Sequence, residues 1–262
     1  MKTLRPLFFF STLLLIIGMA CAALGGGATQ PPQPPTQPPV QQPTQPPQEQ
    51  PTPLPPTEEQ TEAPAAEAFF TEEFDTNDNW TYFVVDGSRS EITDEDIPTM
   101  DLFTENSLLT FDLRGNNLWV YVTYDPFEYE DVRIDAHVIN RGVNNNNVSL
   151  ICRYTDSGWY EFNIANNGLY WIFAASVDAS GKVSYGLVYN GGSNDIKAGK
   201  ATNDYTAICK GRTLSLFING REARTVTDNK YALSSGKVGV SVSSFDTLPV
   251  TVDIDWVTIS EP

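Results

Sequence analysis

From Phe69 to the C-terminus the chain alternates apolar and polar residues almost without a break, and this period of two limits what it can become. Leu109, Phe111 and Leu113 alternate with Leu108, Thr110 and Asp112; Val132, Ile134, Ala136 and Val138 alternate with Asp131, Arg133, Asp135 and His137. Leu214, Leu216 and Ile218 alternate with Ser215, Phe217 and Asn219. Near the end, Val250, Val252, Ile254 and Trp256 alternate with Thr251, Asp253 and Asp255. Successive side chains of a strand point to opposite faces, so each segment predicts a strand with one apolar and one polar face. Antiparallel sheets wet on one side are written this way.

The turns agree. Asn219-Gly220 separates 214–218 from 221–226, and Asn167-Gly168 separates 160–164 from 170–173. Both dipeptides accept positive φ and predict tight type I′ hairpins. Short strands at this spacing, with no sustained helical period, predict an all-β domain over 69–262: a two-sheet antiparallel β-sandwich or jelly roll.

The preceding segment cannot join that core. Residues 31–64 hold 14 of the 19 prolines, with Gln, Thr and Glu between them and no aromatic residue. So little apolar surface cannot offset the entropy of ordering, which predicts a disordered linker over 21–68. Pro-rich chain favours polyproline II at ~3.1 Å per residue, so the tract reaches up to about 100 Å. Ahead of it, Lys2 and Arg5 precede the apolar run Leu7–Ala20, which is too short to span a hydrocarbon core of about 30 Å. That is the form of a secretion signal over 1–20. Cys21 directly after it resembles the lipobox of bacterial lipoproteins, whose first mature residue is diacylated on sulfur. Ala20 fits that pattern, while Gly18 stands where such signals usually carry Leu. The resemblance implies export and anchoring to the bacterial membrane through lipid on Cys21, with the domain outside the cytoplasm.

From Phe69 onward there are 28 acidic and 14 basic residues, a net charge of −14. A polyanion has no electrostatic reason to bind nucleic acid or anionic lipid headgroups. A monomer is expected.

Five segments occur in a telling order: "EEFDTNDNW" (72–80), "VSLICRYTDSGWYEFNI" (148–164), "TAICKGRTLSLFINGREARTVTD" (206–228), "SSGKVGVSVSS" (234–244) and "VDIDWVTI" (252–259). Together they resemble the concanavalin A-like lectin/glucanase superfamily, particularly its laminin-G-like and 3-keto-disaccharide hydrolase-like members. The resemblance covers nearly all of 69–262. It implies the concanavalin A-like sandwich, and an activity drawn from lectins, adhesins or glycosidases.

Few residues offer chemistry. Cys152 and Cys209 are the remaining thiols, and in an exported protein they read more naturally as a disulfide between adjacent strands than as two separately buried cysteines. Two Cys with one distant His make an incomplete metal set. His137 is the only histidine, and no Gly-x-Ser-x-Gly elbow is present. Glu128 and Glu130 could share a strand face near the spacing of a retaining pair. Their run departs from the Glu-x-Asp-x-Glu and Glu-x-Asp-x-x-Glu patterns usual in glucanases of the superfamily.

Sugar binding demands less: an aromatic platform and a few polar groups. Trp159, Glu161 and Asn163 share one strand face. If their strand neighbours 131–137, then Arg133, Asp135, His137, Arg153, Trp159 and Glu161 converge on one glycan site. The other reading leaves 131–137 as a solvated face and Trp159 as cover for a sheet edge. Asp75, Asp78 and Asp255 are candidate ligands for a structural Ca²⁺ tying the first and last strands together. The expected function is a lipid-anchored surface protein presenting a lectin-like, carbohydrate-binding domain. The rivals are a glycoside-cleaving enzyme of the 3-keto-disaccharide hydrolase type and a structural or adhesive module.

Overall fold

The computed structural model describes residues 67–262, apart from 94–96, 98, 143 and 144. The signal, Cys21 and the linker as far as residue 66 lie outside the described residues. Among the described residues sixteen strands form and there is no helix.

The strands make two sheets in which every pairing is antiparallel. The first sheet runs, in spatial order, β4 (Met100–Glu105), β5 (Leu108–Leu113), β16 (Val250–Ser260), β7 (Val132–Asn140), β12 (Thr202–Lys210), β13 (Thr213–Ile218) and β14 (Arg221–Thr227). Strand β1 (Phe70–Glu72) pairs with the part of β16 that extends past β5. The second sheet runs β3 (Glu91–Thr93), β2 (Trp80–Asp86), β6 (Leu118–Tyr129), β15 (Gly236–Ser244), β8 (Asn146–Thr155), β9 (Gly158–Ala165), β10 (Leu169–Val177) and β11 (Val183–Gly192).

The sheets pack face to face as the alternation requires. Phe111, Ile134, Leu214 and Leu216 of the first sheet meet Val120, Leu150, Phe162 and Val240 of the second in one buried cluster. Each large apolar side chain so buried contributes about 1.5–3 kcal/mol relative to exposure. Strand β7 follows its expected parity: Val132, Ile134, Ala136 and Val138 are buried, and Arg133, Asp135 and His137 face out.

Four features differ from the sequence reading. Strand β16 carries a bulge between Ile254 and Trp256, with Asp255 as the extra residue. Beyond it the parity reverses: Val257 and Ile259 enter the core, and Trp256 turns outward to pair with His137. The second departure is β9, all eight residues of which are buried, so its polar side is not wet. Third, Cys152 and Cys209 form the expected disulfide, with Cα atoms 6.7 Å apart. They lie on β8 and β12, so the bridge joins the two sheets instead of two adjacent strands. Fourth, Asn219 and Gly220 both have positive φ (50° and 76°), as a type I′ turn needs, but at Asn167-Gly168 only Gly168 does (95°). There Asn167 Oδ1 accepts the Leu169 N–H at 3.2 Å and caps the turn by itself.

Candidate functional site

The outer side of the second sheet is built from matched rows. Glu161 of β9 pairs with Ile151 of β8 and Phe173 of β10; Asn163 pairs with Ser149 and Trp171. Ser149 pairs in turn with Ser241 of β15, and Ser241 with Tyr121 of β6. Period two and register together bring these distant residues onto one surface.

Glu161 is the hub. Its Oε2 accepts the Tyr121 hydroxyl at 2.7 Å and the Trp159 indole N–H at 3.1 Å. Its Oε1 accepts the Ser149 hydroxyl at 2.8 Å and the Asn163 amide at 2.9 Å. The second Asn163 N–H goes to Ser149 at 3.0 Å, and Asn147 donates to Asn163 Oδ1 at 2.6 Å. Because Tyr121 gives its one proton to Glu161, Tyr185 donates to Tyr121 across 2.9 Å. Burial first, and then the Glu161 charge, raise the pKa of Tyr121 and of Tyr185. A carboxylate 1% exposed, with no cation among these partners, is supported by four neutral donors in place of water.

Trp159 closes one end of this hub. It is fully buried, with ring centroids 5.6 Å from Phe83, 5.2 Å from Tyr121 and 5.7 Å from Tyr154. With Val85, Ile151, Ala175 and Val183 these rings form a second apolar cluster, separate from the core between the sheets. Beside it a cleft of about 300 Å³ lies over Glu161 and Asn163, lined also by Trp119, Asn147, Trp171, Phe173, Tyr185 and Phe245. Trp119 meets Phe245 edge-on at 5.6 Å, and Trp171 lies parallel to Phe173 at 6.5 Å. The Trp119 ring rests on Gly87, where any Cβ would overlap its six-membered ring.

The volume falls at the lower end of small-molecule sites. Its walls are flat aromatic faces and its polar groups are amides, an indole-rich rim and one carboxylate. Such a surface can hold the C–H face of a sugar ring and hydrogen-bond its hydroxyls. Each Glu161 oxygen already accepts two hydrogen bonds, and among the described residues no second carboxylate lines the cleft.

The six residues expected to converge do not do so. Trp159 and Glu161 belong to this surface, although Trp159 is a buried wall and not an exposed platform. Arg133, Asp135 and His137 lie on β7, on the outer side of the first sheet, with the sandwich core between them and β9. There Arg133 makes a two-pronged ion pair with Asp135 at 2.7 Å, Thr206 donates to Asp135 at 2.5 Å, and His137 contacts Asp204 at 2.6 Å while stacking on Trp256. Arg153 takes a third position. It sits at a bulge with φ 55°, and its guanidinium donates to the carbonyls of Glu130 and Leu233, 5.9 Å over the Tyr160 ring. Tyr160 donates to Asp228, which also takes the backbone N–H groups of Lys230, Tyr231 and Ala232. Burial pushes the Asp228 pKa up, but these donors outweigh it and hold the carboxyl at about 2. Arg153 is therefore a clamp on the 228–233 loop.

Trp119, Asn147, Trp171, Phe173, Tyr185 and Phe245 were not anticipated. Trp119-x-Tyr121 and Trp171-x-Phe173 place aromatics on the side of each strand opposite its core residues, a signal the sequence does carry. Phe245 follows the end of β15 and gives none. The calcium candidates do not form a set. Asp75 accepts the Ser107 hydroxyl at 2.6 Å, Asp255 is the bulged residue, and among the described residues no three His, Cys, Asp or Glu converge on a metal position. Asp75, Asp78 and Asp255 are thus not gathered into one group of three.

No family model and no curated protein matches this chain. Solved structures do. A Bacteroides ovatus family 16 glycoside hydrolase of a mixed linkage glucan locus, in complex with a product, aligns with TM-score 0.53 at 12% identity over 73% of this chain and 99% of its own. A laminarinase from a Flavobacterium species aligns at 0.52 and 12% over 74% and 100%, and the Bacillus licheniformis β-glucanase at 0.50 and 12% over 76% and 100%. At these identities the likeness is one of fold, and the fold is the concanavalin A-like jelly roll expected from the five ordered segments.

Proposed function

We propose that this domain binds a glycan in the aromatic cleft of the second sheet, and that lipid on Cys21 and the Pro-rich linker display it outside the cytoplasmic membrane. The observation that carries the reading is the pairing of Trp119, Trp171, Phe173 and Phe245 with the amides of Asn147 and Asn163 around one cleft. Aromatic faces beside planar polar groups are what a pyranose ring requires. The neighbours in fold are a family 16 glycoside hydrolase of a mixed linkage glucan locus, a laminarinase and a β-glucanase, which supports a polysaccharide ligand.

Binding without cleavage is the form we favour. A retaining glycosidase needs a second carboxyl group about 5–5.5 Å from the first. Strand β9 reads Trp159-x-Glu161-x-Asn163, with an amide and not a second carboxylate two residues past Glu161, and Glu161 is already saturated with donors. Retention of the protein on immobilised polysaccharides, with an assay for released sugar, tests this. Retention lost in Trp171→Ala, without sugar release by the parent protein, is expected. Sugar release that Glu161→Gln abolishes would instead make the domain an enzyme. For the anchor, Cys21→Ala should remove the lipid and leave the protein released or unprocessed; a mutant still lipidated refutes that part.

A further inference from the structure

Trp119 and Trp171 stand at opposite ends of the cleft, on β6 and β10, with β15, β8 and β9 between them. Four strand spacings of ~4.8 Å set the two strands about 19 Å apart along the sheet, a span longer than one sugar ring. Neither indole N–H donates to any described residue, although both rings line the cleft. The rim therefore offers two hydrogen-bond donors and two flat faces, well separated. The floor between them is unlike the rim: it holds the Glu161 carboxylate, immobilised by four donors, and among the described residues no Lys, Arg or His lines the cleft. The domain around it is itself a polyanion, with a net charge of −14 from Phe69 onward.

Resting on the glycan-binding reading above, we infer that the cleft selects an uncharged, extended glycan chain long enough to bridge Trp119 and Trp171, and rejects glycans that bear uronate or sulfate groups. The two tryptophans set the minimum length and Glu161 sets the charge. A neutral hydroxyl meets no charge penalty near the fixed Glu161 carboxylate, whereas an anionic substituent meets a like charge that no cation among the lining residues balances, in a partly dry site. Two linked platforms also raise the effective concentration of the second contact once the first is made.

The test uses the full chain and a panel of neutral polysaccharides of different linkage, each beside a sulfated derivative of the same backbone. Oligosaccharides of increasing length are measured by titration calorimetry. The neutral form should bind, and the sulfated form about tenfold more weakly or worse, with the gap narrowing as salt screens the charge. Affinity should rise with chain length to a plateau. Trp119→Ala and Trp171→Ala should each bring a long chain down to the affinity of a short one. Gly87→Ala, outside the cleft, should mimic Trp119→Ala by displacing its ring. Equal or tighter binding of a sulfated chain overturns the selectivity while leaving glycan binding intact. Affinity independent of length overturns the bridging. If nothing in the panel binds, the glycan-binding reading itself fails, and the inference with it.

Discussion

The two outer faces of the sandwich begin from the same alternation and end as different materials. On the first sheet, Arg133, Asp135, His137 and Asp204 pair with one another in water. On the second, Glu161 has no cation beside it, is 1% exposed and is held by a phenol, an indole, a hydroxyl and an amide. The cause is the company each strand keeps. Around β7 the outward neighbours are polar or half-buried, so charges stay solvated and their pairs contribute little. Around β9 they are Tyr121, Trp171, Phe173 and Tyr185, which exclude water and make every donor to Glu161 matter. The two faces differ through desolvation, not through their count of charges.

The comparison is broken most directly at its two tryptophans. Trp159→Ala should cost about 3–5 kcal/mol, because it removes a fully buried indole and one of the Glu161 donors. Trp256→Ala, half-buried on the other face, should cost far less. Denaturant midpoints of the two variants decide this; similar losses would mean the faces are equally packed. Opening the Cys152–Cys209 bridge should come next. The bridge closes a separation of 57 residues between the sheets and contributes roughly 4 kcal/mol in the chain-entropy model. The paired Cys152→Ala, Cys209→Ala variant, compared with the parent before and after reduction, measures it.

A smaller effect belongs to the loop clamp. The folded-state pKa of Asp228, about 2, lies below its ordinary 3.8. Its contribution is therefore complete above the ordinary value and is lost as pH falls through about 2. Asp228→Asn should cost on the order of 2 kcal/mol at neutral pH, and the gap from the parent should close in acid. A gap constant with pH would show that the carboxylate charge is not what holds the loop. The smallest effect is expected on the solvated face. Arg133→Ala should change stability by about 1 kcal/mol or less, and adding salt should reduce even that. A larger loss there would give the first sheet's outer face a structural weight equal to the second's.

The fold was legible because alternation is a local property. Val132 to Val138 and Leu214 to Ile218 face the core as their spacing predicts, and Asn219-Gly220 makes the turn its residues demand. The bulge at Asp255 was not legible, since an inserted residue breaks parity without altering composition, and it sent Trp256 outward. The site was half legible. Trp159, Glu161 and Asn163 share a face as read, but their supposed partners on β7 belong to the other sheet.

The amino-acid order alone determined that this domain is all-β, that it packs as a sandwich, that its two cysteines can pair and that a Pro-rich segment precedes it. Each of these rests on short-range pattern or composition. Only the tertiary structure decided that the bridge crosses between sheets, that Arg153 clamps a loop, and that Trp119, Trp171 and Phe245 line one cleft over Glu161. A period of two says which residues share a side of a strand. Which sheet the strand joins, and which distant strand lies beside it, depend on pairings between residues up to a hundred or more positions apart, and there the chemistry of the cleft is assembled.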